Sequence, residues 1–254
     1  SGGAITDGGT LTIGGNLSAT ADADDVTINL GTLAVDGTVA LTTNGSSGNV
    51  TVVNDAGLAF AASTVDGTLS ATATTGNITD SGALTISGTS AFTTSADHGT
   101  ITLNTTTNAF TGAVTLTTND ADGAVASATI DGGTTALVIA ASTVDGDLTL
   151  TSGHTSGITD SGTLTIGGNL SATTDAGNGV VDLGTLAVDG TVALTTHGSG
   201  DATVVNDAAL TFAASSVAGA LSATATTGNI IDNATVTVGG NFAVTATADD
   251  ATVN

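Results

Sequence analysis

Short runs in which apolar and polar residues alternate recur along the whole chain, and each run is followed by a glycine turn. The runs have the form apolar-x-apolar, as in LTI from Leu11 and LAV from Leu33. Two residues after the glycine the chain is apolar again, for example at Leu17 and Val39. Alternation with a period of two predicts short β-strands with one buried face. No window keeps the 3.6-residue period of an amphipathic helix, so the pattern predicts an all-β chain.

The runs belong to a long internal repeat. LTIGGNLSAT at Leu11 recurs at Leu164, and LGTLAVDGTVALTT at Leu30 recurs at Leu183, so both copies have the same offset of 153 positions. Within this repeat, the tripeptide ITD or its variant IID marks half-repeats, and these tripeptides end at four aspartates: Asp7, Asp80, Asp160 and Asp232.

Ten runs start on average about 25 residues apart, at Leu11, Leu33, Leu58, Leu84, Asn108, Leu137, Leu164, Leu186, Leu210 and Val236. A unit of this size with three short strands corresponds to one turn of a parallel β-helix. The sequence therefore predicts a right-handed parallel β-helix (β-solenoid) of about ten coils of roughly 25 residues, with three short strands per coil. Glycine at every corner is expected to supply a backbone with positive φ. Residues 1–254 are interpreted as one solenoid domain, a segment of a longer array with uncapped edges that favour self-association.

The composition narrows the range of partners. The chain has 23 Asp and no Lys, Arg, Glu or Cys, which gives a formal net charge of −23. With no cationic side chain to contact phosphate, nucleic acids and anionic membrane surfaces are excluded as partners. The apolar runs are too short to cross a bilayer, so no membrane insertion is expected. The absence of easily oxidised side chains and of trypsin sites is typical of an exposed extracellular material.

Two segments carry a resemblance to a known group. TGNITDSGALTISG, from Thr75 to Gly88, and LTIGGNLSATA, from Leu11 to Ala21, resemble the repeats of filamentous-haemagglutinin-like exoproteins and autotransporter passengers. The resemblance implies a right-handed parallel β-helix that is exported to the bacterial surface, with roles in adhesion, surface layers or filaments.

Aspartates offer the candidate metal sites. Asp36 and Asp66 follow the glycine-corner runs of successive coils, and stacking would bring their carboxylates about 5 Å apart, where Ca²⁺ would relieve the repulsion. The loop with Asp22, Asp24 and Asp25 is a second possible calcium site. Solvated turn aspartates are the alternative interpretation.

Enzymatic chemistry is not expected. Clustered acids on this fold would need a basic partner, which the chain does not contain. His98, His154 and His197 lie in loops of different coils, and the five phenylalanines are expected to fill the core.

The function predicted from the sequence is that of an extracellular structural repeat that builds a surface filament, stalk or layer by self-association. One alternative is an adhesin that binds host or neighbour cells or glycans. Another is an ice-binding solenoid with outward Thr ladders. Against ice binding stands the variable spacing of the runs, which is shorter from Leu11 to Leu33 than from Asn108 to Leu137.

Overall fold

A computed structural model describes residues 3–123 and 125–254, and within these ranges the chain contains strands and no helix. In the first half of the chain the strands are β1 Ile5–Thr6, β2 Leu11–Ile13, β3 Leu17–Asp24, β4 Ile28–Val35, β5 Thr38–Asn44, β6 Val50–Asn54, β7 Leu58–Phe60, β8 Ser63–Val65, β9 Leu69–Ala73, β10 Ile78–Asp80, β11 Leu84–Ile86, β12 Ser90–Asp97, β13 Ile101–Leu103, β14 Ala109–Phe110, β15 Val114–Asn119 and β16 Ala128–Asp131. In the second half they are β17 Leu137–Ile139, β18 Ser142–Val144, β19 Leu148–Ser152, β20 Ile158–Asp160, β21 Leu164–Ile166, β22 Leu170–Gly177, β23 Val181–Val188, β24 Thr191–His197, β25 Ala202–Asn206, β26 Leu210–Phe212, β27 Ser215–Val217, β28 Leu221–Ala225, β29 Ile230–Asp232, β30 Val236–Val238 and β31 Phe242–Ala246.

The strands form two sheets that face each other across the core. The first sheet has 15 strands and is built on the order β1-β4-β6-β9-β12-β15-β17-β20-β23-β25-β28-β31, with β2, β18 and β21 beside this path. The second has 16 strands and is built on the order β14-β11-β8-β5-β7-β10-β13-β16-β19-β22-β24-β26-β29, with β3, β27 and β30 beside it. Every pairing between named strands is parallel, as in β1 with β4 and β6 with β9. The predicted all-β, parallel β-solenoid is therefore confirmed.

One turn of the chain contains fewer residues than the average spacing between the sequence runs. Ile5 registers with Ile28, Ile28 with Val50, and Val50 with Leu69. Eleven such steps along the first sheet lead from Ile5 to Phe242, so one turn takes on average about 22 residues. The expected ten coils are thus corrected to about eleven shorter turns, because only some of the successive runs stack on one another. The runs at Leu33 and Leu58, for example, lie in different sheets.

The difference arises because the half-repeat is not a whole number of turns. The ITD strands β1 and β20 lie in the first sheet, whereas the equivalent strands β10 and β29 lie in the second. A half-repeat therefore spans three and a half turns and presents the same motif on the opposite side of the rod. The full repeat spans seven turns and returns to the same side, as the pairing of Leu11 with Leu33 and of Leu164 with Leu186 illustrates.

The core is a column of aliphatic side chains with one aromatic stack. Inward positions alternate with outward ones along each strand, as in β9 and β15. Phe60, Phe92 and Phe110 are buried, and their rings pack edge to face with centroids 6.3 and 6.0 Å apart. Phe212 is also buried, but Phe242 is 52% exposed in the last turn, contrary to the expected core position.

The corner glycines have a different cause from the expected one. None of the ten glycines that follow the runs has a positive φ. Among the described residues five other glycines do, for example Gly45 and Gly133. A Cβ at Gly88 would instead lie 2.5 Å from the carbonyl oxygen of Gly67, and one at Gly112 would meet the carbonyl oxygen of Gly88. At these corners glycine is required because the backbones of successive turns approach each other closely.

Candidate functional site

Two of the ITD aspartates, Asp7 and Asp160, connect successive turns in the same way. The carboxylate of Asp7 accepts hydrogen bonds from the backbone amide and hydroxyl of Thr32, at 2.6 and 2.9 Å. Asp160 binds Thr185 in the same way, at 2.7 and 2.6 Å. The Thr32 backbone amide is the main cause that holds the pKa of Asp7 below its usual range. These aspartates act as clamps between turns, a role that sequence reasoning missed because it depends on the register.

The expected pair of Asp36 and Asp66 is not brought together. Asp36 follows β4 in the first sheet, whereas Asp66 follows β8 in the second sheet. The chain makes about one and a half turns between them, so the two carboxylates lie at corners on different sides of the rod. The stacking on which this calcium prediction depended was wrong.

The loop at Asp22, Asp24 and Asp25 is exposed and held by backbone contacts. Asp25 has a φ of 61° and accepts a hydrogen bond from the Ser47 amide at 2.9 Å. Asp24 registers with Asn44 of the next turn. Across residues 3–123 and 125–254, one group of at least three acidic or imidazole side chains has converging donor atoms, and it contains neither these aspartates nor Asp36 or Asp66.

That group consists of Asp97, His98, Asp120 and Asp122, whose donor atoms all lie within 4.8 Å of one another. The His98 Nε2 atom is 3.6 Å from Asp97 Oδ2 and 3.3 Å from Asp122 Oδ1, and Nδ1 is 3.4 Å from Asp120 Oδ1. His98 has a φ of 61° at the corner equivalent to Asp25, and its ring contacts Asp120 and Asp122 of the next turn. Three carboxylates and one imidazole are a donor set that can hold a divalent metal ion.

Asp120 is the buried member of this group and contacts the His98 ring. Its side chain is covered by its own loop and accepts the backbone amides of Asp122, Gly123 and Val125, at 3.2, 3.0 and 2.7 Å. The Val125 amide is the main cause that lowers the pKa of Asp120. The loop belongs to the longest register step of the second sheet, from Ile101 to Ala128. The sequence DADG, which begins at Asp120, is a local sign of an acidic loop, but the contact of this loop with His98 could be predicted only from the strand register.

The outward faces carry ladders of threonine. In the first sheet five consecutive turns place in register the residues Thr72, Thr93, Thr117, Thr143 and Thr165. In the second sheet four turns align Thr20, Thr42, Thr64 and Thr85. The variable spacing of the sequence runs does not disturb these ladders, because the extra residues lie in the corners and loops.

The fold, the interturn clamps and the repeated register define a β-solenoid repeat protein. No helix in the described residues is long and apolar enough to cross a membrane. A family described as repeats of unknown function (DUF5649) matches residues 47–117 and 199–254, which together make up half of the chain. The chain belongs to this family. The starts of the two matched segments, at positions 47 and 199, are one seven-turn repeat apart to within a single position. No curated protein and no solved structure matches the chain.

Proposed function

We propose that this chain is an extracellular structural repeat that forms a rod and builds a filament, stalk or surface layer by self-association. The observation that supports the proposal is that the length of the sequence repeat equals a whole number of turns of the solenoid. Because the sequence repeat corresponds to seven whole turns, a further copy of the sequence continues the same two sheets in the same orientation. Each added repeat would lengthen the rod by about 34 Å at a rung spacing of about 4.8 Å.

The test compares the chain with a variant that carries one additional copy of the full repeat. Small-angle scattering and negative-stain electron microscopy should give a rod of about 50 Å for eleven turns, lengthened by about 34 Å in the variant at unchanged width. An added repeat that widens the particle, or that forms a separate domain, would contradict the proposal.

Self-association should depend on ionic strength. With 23 aspartates and no Lys or Arg, two rods repel each other laterally, and salt screens this repulsion. Filaments or layers should therefore increase between about 10 mM and 500 mM salt. Dispersed monomers at every salt concentration would remove the assembly part of the proposal.

We further propose that the winding is right-handed and that the protein lies at the cell surface. Parallel strands joined by crossovers are right-handed in nearly all known cases. The resemblance to exported bacterial repeat proteins supports the location, as does the lack of oxidisable side chains. An antibody should label intact cells as strongly as permeabilised ones, and labelling only after permeabilisation would exclude the location.

Ice binding is a second candidate, favoured by the in-register ladder of five threonines in the first sheet. Thr117 and Thr143 occupy its middle turns. Thermal hysteresis should be present and should be lost in Thr117→Lys/Thr143→Lys, because two long charged side chains break the hydroxyl array. Ordinary disc-shaped ice growth with the unmodified chain would exclude this candidate.

A further inference from the structure

Two grooves with the same lining lie on the first sheet, one in each repeat. The first has a volume of about 260 Å³ and is lined by Thr10, Thr32, Leu33, Val53, Asp55 and Thr74. The second has a volume of about 290 Å³ and is lined by Thr163, Thr185, Leu186, Val205, Asp207 and Thr226. Seven turns separate them, so they face the same way about 34 Å apart along the rod.

The lining is identical in the two grooves, and most of it lies in segments that the two repeats share, with single differences nearby. All six side chains have the same residue type at equivalent positions. Close by, Asn29 is replaced by Asp182. Just beyond Asp55, Gly57 is replaced by Ala209. The two grooves therefore present the same chemistry at two places along the rod.

A glycine opens the floor of each groove. Gly31 lies inside β4 and Gly184 inside β23, neither with a positive φ. A Cβ at Gly31 would come no closer than 3.8 Å to another part of the chain, and one at Gly184 would meet nothing within 4 Å. The protein backbone therefore does not require glycine there for space. A glycine inside a strand is also typical of a place where a ligand approaches the backbone closely.

The walls of the groove are rigid. Thr32 is fixed by the Asp7 clamp, and the Thr74 hydroxyl donates to the Asp55 carbonyl oxygen at 2.7 Å. Below them the buried Asn54 side chain bonds the backbone of Val35 in both directions. The second groove repeats all three contacts, which its own clamp, its threonine pair and a buried asparagine provide.

The chemistry of the groove points to a neutral, hydroxyl-rich polymer. Within the described part of the chain, the carboxylates of Asp55 and Asp207 accept no hydrogen bond, so they are free to bind hydroxyl donors. Val53 offers an apolar wall, and the threonines offer donors and acceptors. The lining comes from four successive turns, so the groove runs along the rod for about 14 Å. No cationic side chain is present to attract an anionic ligand.

We propose that each repeat binds a stretch of a neutral polysaccharide in this groove, with Asp55 and Asp207 as the hydroxyl-binding carboxylates. A chain that lies along the rod would then engage both grooves at once. Binding of this kind goes beyond the structural role proposed above and does not depend on it, because rod length and polysaccharide affinity are measured separately.

Isothermal titration with maltohexaose, cellohexaose, mannohexaose and xylohexaose, and with the matching long polymers, tests the proposal. At least one hexaose should bind, and its polymer should bind more tightly by tenfold or more, since the second groove is engaged at high effective concentration. Failure of every probe to bind at millimolar concentration would overturn the proposal.

Variants locate the site. Gly31→Val/Gly184→Val places a branched side chain in each groove, where the added Cβ has no backbone atom from another part of the chain within 4 Å. It should abolish binding while circular dichroism shows an unchanged fold. Gly31→Val alone should remove the advantage of the polymer over the hexaose. Binding that is unchanged in the doubly filled variant would overturn the proposal.

A second pair of variants tests the proposal even if the valine variant does not fold. Asp55→Asn/Asp207→Asn keeps the shape of the groove and should weaken hexaose binding about tenfold or more, as expected for the loss of a hydrogen bond to a charged group. The matched control, Asp22→Asn/Asp175→Asn, removes two exposed charges at equivalent positions outside the grooves and should bind normally. Equal weakening in both pairs would show a general charge effect and would overturn the assignment.

Discussion

Replacing Phe92 by alanine tests the packing of the core most severely. The side chain is fully buried and touches Phe60 and Phe110 edge to face. A Phe→Ala change in a core costs about 3–5 kcal/mol, and each edge-to-face contact contributes about 0.5–1.5 kcal/mol beyond burial. We expect a loss of about 4 kcal/mol in the free energy of unfolding, measured by urea denaturation followed by circular dichroism.

The repeat provides an internal rescue for this variant. Ser90 and Phe92 occupy the positions that Leu170 and Ala172 occupy in the next half-repeat, so a small and a large side chain have exchanged places. Ser90→Leu alone should overpack the core and cost about 1–3 kcal/mol. In the Phe92→Ala background the same change should recover about 2 kcal/mol, since burying a leucine contributes about 1.5–3 kcal/mol.

The double-mutant cycle therefore has a defined sign. The two substitutions must be coupled favourably, as expected for side chains that share one space. A Phe92→Ala variant that loses less than about 1 kcal/mol would contradict the packing described here, because a fully buried ring cannot be removed at so small a cost. A double variant no more stable than Phe92→Ala would contradict the exchange of volumes.

Three further outcomes are expected. The buried Ser90 hydroxyl has no hydrogen-bond partner among the described residues. Ser90→Ala should therefore stabilise the chain by about 1 kcal/mol and raise Tm by about 2–4 °C, and a lower Tm would contradict this expectation. Gly112→Ala should cost about 1–3 kcal/mol in the free energy of unfolding, because its Cβ meets the backbone of the preceding turn. Gly15→Ala has open space around it and should change stability by less than about 1 kcal/mol, and equal effects of the two variants in thermal melts would exclude close approach as the cause. Because the pKa of Asp7 is lowered in the folded chain, its ionised form stabilises the fold above the unfolded pKa of about 3.9, and this contribution is lost as the pH falls through the folded pKa. Asp7→Asn should therefore make Tm less dependent on pH below about pH 4, and an unchanged profile would rule out the clamp as a source of acid sensitivity.

The strand character and parallel stacking could be predicted from the sequence, because alternation and internal repetition are local signals. The length of a turn could not. The runs at Leu33 and Leu58 look equivalent and suggest that one full turn separates them, yet β4 and β7 lie in different sheets. The sequence repeats every three runs while the chain completes three and a half turns, and only the strand register distinguishes these two counts.

Prediction of the candidate sites required the strand register even more than prediction of the turn length did. Asp7 reaches Thr32, and His98 reaches Asp120, because successive turns place them side by side, and no local motif marks either contact. The false pair of Asp36 and Asp66 shows the converse, since a wrong turn length brings together residues that the fold keeps apart. The Gly31 groove was also missed, because glycine reads as a turn signal until its strand and its open surroundings are known.

Paired cysteine substitutions test the winding directly, since the natural chain has no cysteine. Thr38 and Ala59 are register partners, so the Cα atoms of Thr38→Cys/Ala59→Cys should lie about 5 Å apart, within disulfide range. Ala34→Cys/Ala59→Cys joins the centres of two successive runs that lie in different sheets. Under mild oxidation the first pair should form an intramolecular disulfide, detected by mass spectrometry, and the second should not. A disulfide in the second pair and none in the first would contradict the two-sheet winding and the length of turn that it implies.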